Sequence, residues 1–392
     1  MINEKFELCQ LAADLSEGRL TSVALTEECF RRIGQDPCAD PFVYLDFDGA
    51  MEAAQASDAR RKNGTCIGPL DGIPFAAEDR FCVKGIPTEN HCGMLRGYKP
   101  PYNAHAIERL QAEGAVFLGK LRTDGFLSGR TENKLRAERL VGANGIVPFA
   151  LMAETGGSLL CLGRDGVAAF SCRALSRFGM IACAPSFDSV GVLAGSVRSC
   201  KIVADLLTNR CDQASPEKRR STPRIATWGQ SFDEKTLNAG WPDFTALSKA
   251  YRILSSAETA SEMAMYDGIR FGVVEEQGKT AREQTAAVRG RCFSAEEHQL
   301  ILLGTALLMG ERRAECYSAA RGLREAVLQA LRALYSEYDL LACPLTDRAL
   351  LLSSLGGLSA ISASGMLWMT PQGREAVLWE TAESALAEGS VN

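Results

Sequence analysis

The apolar run Ile146-Val147-Pro148-Phe149-Ala150-Leu151-Met152-Ala153 leads directly into Glu154-Thr155-Gly156-Gly157-Ser158. An uninterrupted apolar segment of this length predicts a buried strand, and the glycine-rich polar segment after it predicts a turn at the strand's end. Paired glycines accept backbone dihedrals closed to other residues and let a ligand approach their N–H groups. A serine presented there is a candidate nucleophile, with Thr155, Gly156 and Gly157 as a candidate oxyanion hole. The same five residues also make an ordinary Gly-Gly turn carrying a solvated serine. The flanking sequence has to decide between the two.

Upstream, Gly68-Pro69-Leu70-Asp71-Gly72-Ile73-Pro74-Phe75-Ala76-Ala77-Glu78-Asp79 reads as a turn that delivers a short buried strand ending in two carboxylates. Charged residues at strand ends are favoured places for chemistry in α/β sheets. Residues 105–113 read as a helix closed by Gly114 and followed by the strand Ala115-Val116-Phe117-Leu118-Gly119. Helix, glycine and apolar strand in that order predict an α/β architecture with some parallel pairing. Nearer the N-terminus, residues 6–33 read as two short helices, with Ser22 as an N-cap and Leu25, Cys29 and Ile33 on one face. A third helix over 50–62 stops at Asn63-Gly64.

Downstream of the serine the spacing predicts a strand over 176–183, a helix over 196–207 and a strand over 224–228. Two helices are expected between 295 and 338, broken near Gly310 or Gly322. A buried strand follows over 338–344, and a last helix over 375–388. Residues 209–223 read as a linker or long loop, and the basic cluster Lys218-Arg219-Arg220 belongs to it. There are no internal repeats.

At 392 residues, 46% hydrophobic and 23% charged, the chain has the make-up of a globular protein with a large core. A net charge of −5 gives no basic footprint for direct nucleic-acid binding. No leader and no membrane span are expected, because no apolar run approaches the ~20 residues a span needs. The 14 cysteines include no C-x-x-C pair, so zinc spacing is absent and reduced buried thiols of a cytoplasmic protein are expected. No motif calls for a cofactor or a metal. The three histidines, His91, His105 and His298, read as surface or structural residues.

In sequence these segments resemble the amidase signature family. Gly68 to Asp79 with Val83-Lys84-Gly85-Ile86-Pro87-Thr88 is similar to the family's first motif. Ala106 to Lys120 and Ser128-Gly129-Arg130-Thr131-Glu132-Asn133 are similar to the next block. Glu154 to Ser158 resembles the nucleophile segment, and residues 176–191 follow as in the family. Tyr266-Asp267-Gly268-Ile269-Arg270-Phe271-Gly272 and Leu302-Leu303-Gly304-Thr305 resemble the branch formed by amidotransferase A subunits. The resemblance runs collinearly over nearly the whole chain. It implies the amidase signature fold: α/β, a mixed β-sheet core flanked by α-helices, trimmed at the periphery. It also implies one domain over 1–392, with the helical segment 1–65 packed on it.

The family's chemistry is amide hydrolysis or glutamine amidotransfer by a nucleophilic serine, a bridging serine and a lysine base. By resemblance the nucleophile position is Ser158, but the lysine position holds Glu78. The bridging serine belongs to a glycine-serine loop, and the matching interval, residues 134–144, is shorter and contains no serine. An arginine that normally follows the nucleophile is missing from Leu159-Leu160-Cys161-Leu162. Arg324, with Tyr317 before it, resembles the arginine that holds the substrate carboxylate; the alternative is a surface arginine paired along its helix. Losses at the base and the bridge, with the core kept, predict a catalytically impaired paralogue with a binding or regulatory role. Its implied partners are amidotransferase-like B and C subunits, or a small amide or carboxylate ligand. An active serine amidase with an unconventional base is the competing expectation.

Overall fold

A computed structural model describes residues 6–35, 41–127, 139–141, 145–164, 166–208, 223–227, 243–273 and 280–387. Its centre is one mixed ten-stranded sheet. In chain order the strands are β1 (Phe42–Leu45), β2 (Pro74–Glu78), β3 (Val116–Leu121), β4 (Phe149–Glu154), β5 (Ala168–Cys172), β6 (Ser189–Ala194), β7 (Ile225–Thr227), β8 (Leu340–Pro344), β9 (Ser359–Ala363) and β10 (Met366–Thr370). Across the sheet they run β1-β3-β2-β4-β6-β5-β9-β10-β8-β7. β2 lies parallel between β3 and β4, and β7 is parallel to β8; the remaining pairs are antiparallel. Every residue of β2 to β6 and of β9 is buried, which is why these strands read as continuous apolar runs rather than as alternations. The edge strands differ: β1 alternates half-buried with exposed positions, and β7 has only three residues.

Helices cover the sheet. They are α1 (Leu8–Ser16), α2 (Ser22–Gln35), α3 (Phe47–Lys62), α4 (His105–Ala112), α5 (Val197–Leu207), α6 (Phe244–Met263), α7 (Ala281–Cys292), α8 (Ala295–Leu308), α9 (Ser318–Glu337), α10 (Asp347–Gly356) and α11 (Glu375–Ala387). Leu25, Cys29 and Ile33 form the buried face of α2. Ser22 is not its cap. The Thr21 hydroxyl accepts the Ala24 N–H at 3.1 Å, while the Ser22 hydroxyl donates to Gly72 O at 2.9 Å and ties α2 to the turn before β2. The break in the long helical stretch falls at Gly310, where φ is +54°; Gly322 stays inside α9. A widened π-type turn, Arg313–Tyr317, leads into α9.

The strand expected over 176–183 is a correction. That segment is a turn in which Met180 N–H donates to Arg177 O, and it meets the sheet only through a bridge from Phe81 to Met180. Gly179, at φ +76°, and the exposed Phe178 end any extended run there. The strands of this region are β5 and β6 on either side. Residues 209–222 of the expected linker, and the interval 134–144 apart from 139–141, lie outside the described residues. Among the described residues no helix is long and apolar enough to cross a membrane.

Candidate active site

β4 carries the chain into the glycine turn, and two physical demands fix the glycines there. Gly156 and Gly157 sit at φ +69° and +88°, a region L side chains rarely adopt. A Cβ on Gly156 would also collide with the Tyr251 hydroxyl from α6, and one on Gly157 would lie 2.8 Å from Leu350 Cβ of α10. Ser158 is only 4% exposed, and its Oγ accepts the Thr155 N–H at 3.1 Å. The Glu154 carboxylate holds the far side of the turn, accepting N–H groups from Gly157, from Leu159 at 2.6 Å and from Leu160 at 3.1 Å. The Gly157 amide thus points at a carboxylate of the protein. An oxyanion-hole role for it requires that bond to open.

Glu78 ends β2 beside this turn. It is 1% exposed, and its Oε2 accepts the Ala153 N–H from the neighbouring β4 at 2.7 Å. Its neighbour Asp79 faces a separate buried cluster. Asp79 pairs with Lys120 at 3.1 Å and accepts the N–H groups of Glu89 at 3.0 Å and Asn90 at 2.9 Å. Lys120 also donates to Phe81 O at 2.5 Å and to Thr88 Oγ1 at 3.0 Å. Burial pushes the Asp79 carboxyl up and the Lys120 ammonium down, and their mutual attraction opposes both shifts.

Two residues past Glu78 is a cation that sequence reasoning did not single out. Arg80 is 4% exposed and donates to Thr155 Oγ1 at 3.3 Å and twice to Ile181 O, at 3.1 and 2.9 Å. It also pairs with Asp188 at 3.3 Å. Thr155 in turn donates to Asp188 Oδ1 at 2.5 Å, and Asp188 Oδ2 accepts the Cys183 N–H at 2.7 Å and the Ala184 N–H at 3.1 Å. Burial disfavours the Arg80 charge, but the charges around it, Asp188 first, outweigh that and hold its pKa above the ordinary value. Thr155 is therefore locked between a buried guanidinium and a buried carboxylate.

Beside Asp188 the loop carries Ser186 and Phe187. Arg324, on α9, donates to Ser186 Oγ at 2.8 Å, Ser186 O at 3.1 Å and Leu355 O at 3.2 Å, with its guanidinium 4.7 Å from the centre of the Phe187 ring. The Phe187 and Tyr251 rings meet at a steep angle with their centres 4.9 Å apart, and Tyr251 covers Gly156. Burial lowers the Arg324 pKa, while Glu258 and Tyr317 favour its charge. Arg324 thus stands one aromatic layer from the glycine turn that carries Ser158, with Tyr317 close enough to act on its charge. His105 begins α4, His298 bonds Arg289 O at 3.1 Å, and His91 is exposed; none of them appears among the hydrogen-bond partners of the turn.

The geometry is thus a mixed ten-stranded sheet with a buried Thr-Gly-Gly-Ser turn at the end of a central strand, and the comparisons give it a family. The amidase family model matches residues 24–137. The A subunit of glutamyl-tRNA(Gln) amidotransferase from Chloroflexus aurantiacus is 32% identical over 85% of this chain and 80% of its own length. The chain belongs to the amidase signature family, and within it the similarity is to amidotransferase A subunits. Among solved structures, a chain from a vestigial protein complex bearing on the origins of an s-triazine catabolic enzyme superposes with a TM-score of 0.79 at 19% identity, covering 98% of each chain. The peptide amidase of Stenotrophomonas maltophilia gives 0.73 at 20% identity over 96% of this chain and 95% of that one. These two likenesses concern the fold.

Proposed function

We propose that this protein is a catalytically impaired relative of the amidotransferase A subunit, acting in the cytoplasm by binding rather than by amide hydrolysis. The observation that carries the reading is Glu78. At the position of the family's lysine base stands a buried carboxylate that accepts the Ala153 N–H. A lysine base works because burial lets its amine shed a proton near neutral pH, whereas a carboxylate is a weak base toward a serine hydroxyl. The interval that would carry the bridging serine contains none. The Gly157 N–H, one of the oxyanion donors the chemistry would need, is engaged by Glu154.

What is kept is the equipment for holding a ligand or a partner. Arg324, presented over Phe187, favours a small carboxylate or carboxylate-bearing amide. The proposed protein partners are B- and C-like amidotransferase subunits, by analogy with the relatives. A fluorophosphonate probe tests the reading, since it labels serines that are activated. Mass spectrometry is expected to find no adduct on Ser158 under conditions that label an active amidase fully. Stoichiometric labelling of Ser158 would establish an active nucleophile and favour the serine-amidase reading.

A further inference from the structure

Arg324 is not alone at Phe187. Arg173, which follows β5, lies with its guanidinium 5.9 Å from the centre of the same ring. Its Nη2 donates to Ser354 O at 2.9 Å, and its Nη1 lies 2.8 Å from where a Cβ on Gly357 would stand. All the hydrogen bonds these two side chains make go to neutral oxygens, those of Ser354, Leu355 and Ser186. Among the described residues neither forms an ion pair with a carboxylate. A third arginine, Arg177, is exposed at the edge and donates to Pro185 O and to Asp188 O, the latter at 3.5 Å.

The carboxylates whose charge reaches these arginines, Glu258 and Asp188, bond directly to other groups. Glu258 accepts the Ser186 N–H at 2.7 Å and the Ser186 hydroxyl, and Asp188 holds Thr155 and Arg80. The Arg173 pKa falls to about 10, first through burial and then through the charges of Arg324 and Arg177; Asp188 and Glu258 offset this only in part. Gathering half-buried cations without a paired anion costs free energy, and a bound anion recovers it. Both side chains remain partly exposed, so a small solute can reach them.

We propose that Arg173 and Arg324 together form a recess for a small dianion, either a dicarboxylate or a phosphate group. This rests on the binding role of Arg324 in the proposed function and adds a second positive contact, Arg173, that selects for a second negative charge. A monoanionic amide, with one carboxylate, would use Arg324 and leave Arg173 unmatched.

The test compares glutarate with glutaramate, which has nearly the same size and one charge fewer, by calorimetry at fixed ionic strength, with inorganic phosphate as a third arm. Glutarate or phosphate is expected to bind at least tenfold more tightly than glutaramate. The Arg173→Gln variant should remove that preference, weakening glutarate or phosphate much more than glutaramate. Whichever of glutarate and phosphate binds more tightly identifies the dianion. Equal binding of glutarate and glutaramate, lost in Arg324→Gln and untouched in Arg173→Gln, would overturn the dianion recess and leave the single-carboxylate role of Arg324 standing. No binding of any of the three would overturn both. The comparison on the unmodified protein decides the matter even where a variant fails to fold.

Discussion

Asp188 holds Thr155, Arg80 and the backbone of Cys183 and Ala184 at once, all out of contact with water. Removing one partner of a buried pair leaves the other charge without compensation, which typically costs about 3–5 kcal/mol. Asp188→Ala should therefore destabilise the protein by about that much in urea unfolding, and Asp188→Asn by less, since the amide retains an acceptor. A loss below about 1 kcal/mol for Asp188→Ala would show that Arg80 finds another partner or water. Nothing in the local sequence pattern around Arg80 and Asp188 pointed to this pair: they are 108 positions apart and become neighbours only when β2 and β6 flank β4. Tyr251 was equally hidden, because its role depends on how α6 lies over the glycine turn. Ser158, Thr155 and the two glycines could be put forward as candidates because one local motif contains them, and Glu78 because it ends a motif that resembles the family's first one.

The glycine turn makes a testable element. Gly156→Ala should be strongly destabilising for two separable reasons, the positive φ and the collision with the Tyr251 hydroxyl. Tyr251→Phe removes the hydroxyl and should recover part of the loss. A double-mutant cycle of melting temperatures should thus show clear non-additivity. Strict additivity would mean that Tyr251 does not pack on the turn.

At α2, the guanidinium of Arg31, then Arg32, holds the Glu28 carboxyl down at about 2, below its ordinary 4.5. A lowered carboxylate pKa contributes stability above the unfolded-state value and loses it as pH falls through the folded value. The stability difference between wild type and Glu28→Gln should accordingly be constant near neutrality and shrink from about pH 4.5 toward pH 2. A difference that grows on acidification would contradict the assignment.

Element reading succeeded where periodicity and punctuation agreed, as in α2, α3, α4 and the run that became β4. It failed over 176–183, where a turn buries Met180 and Cys183 but leaves Phe178 exposed. α6 and α7 were also missed. The capping box of α7, Thr280 with Glu283, was present in the sequence as a start signal, but the helix behind it is polar and gives little periodicity.

At the scale of the molecule, the chain has the buried mixed sheet of the amidase signature family, and the proposed impairment rests on Glu78 and on an interval, residues 134–144, that contains no serine. Apolar strands buried on both faces tolerate little change, so the fold stays readable at 32% identity to an amidotransferase A subunit. The proposed anion recess was readable only in part: Arg324 stood out by resemblance, whereas Arg173 and Phe187 come from separate parts of the chain that meet only in the fold. A positioned general base is worth ~10²–10⁴ in rate. Members of a proton relay act as a unit, so Glu78→Lys alone should not restore activity while the bridging serine is absent. The proposed loss of catalysis is decided by ammonia release from glutamine and from simple amides, measured on the purified wild-type protein, Ser158→Ala and Glu78→Lys in parallel. All three are expected to be indistinguishable from one another. Ammonia release by the wild type that Ser158→Ala abolishes would contradict that loss.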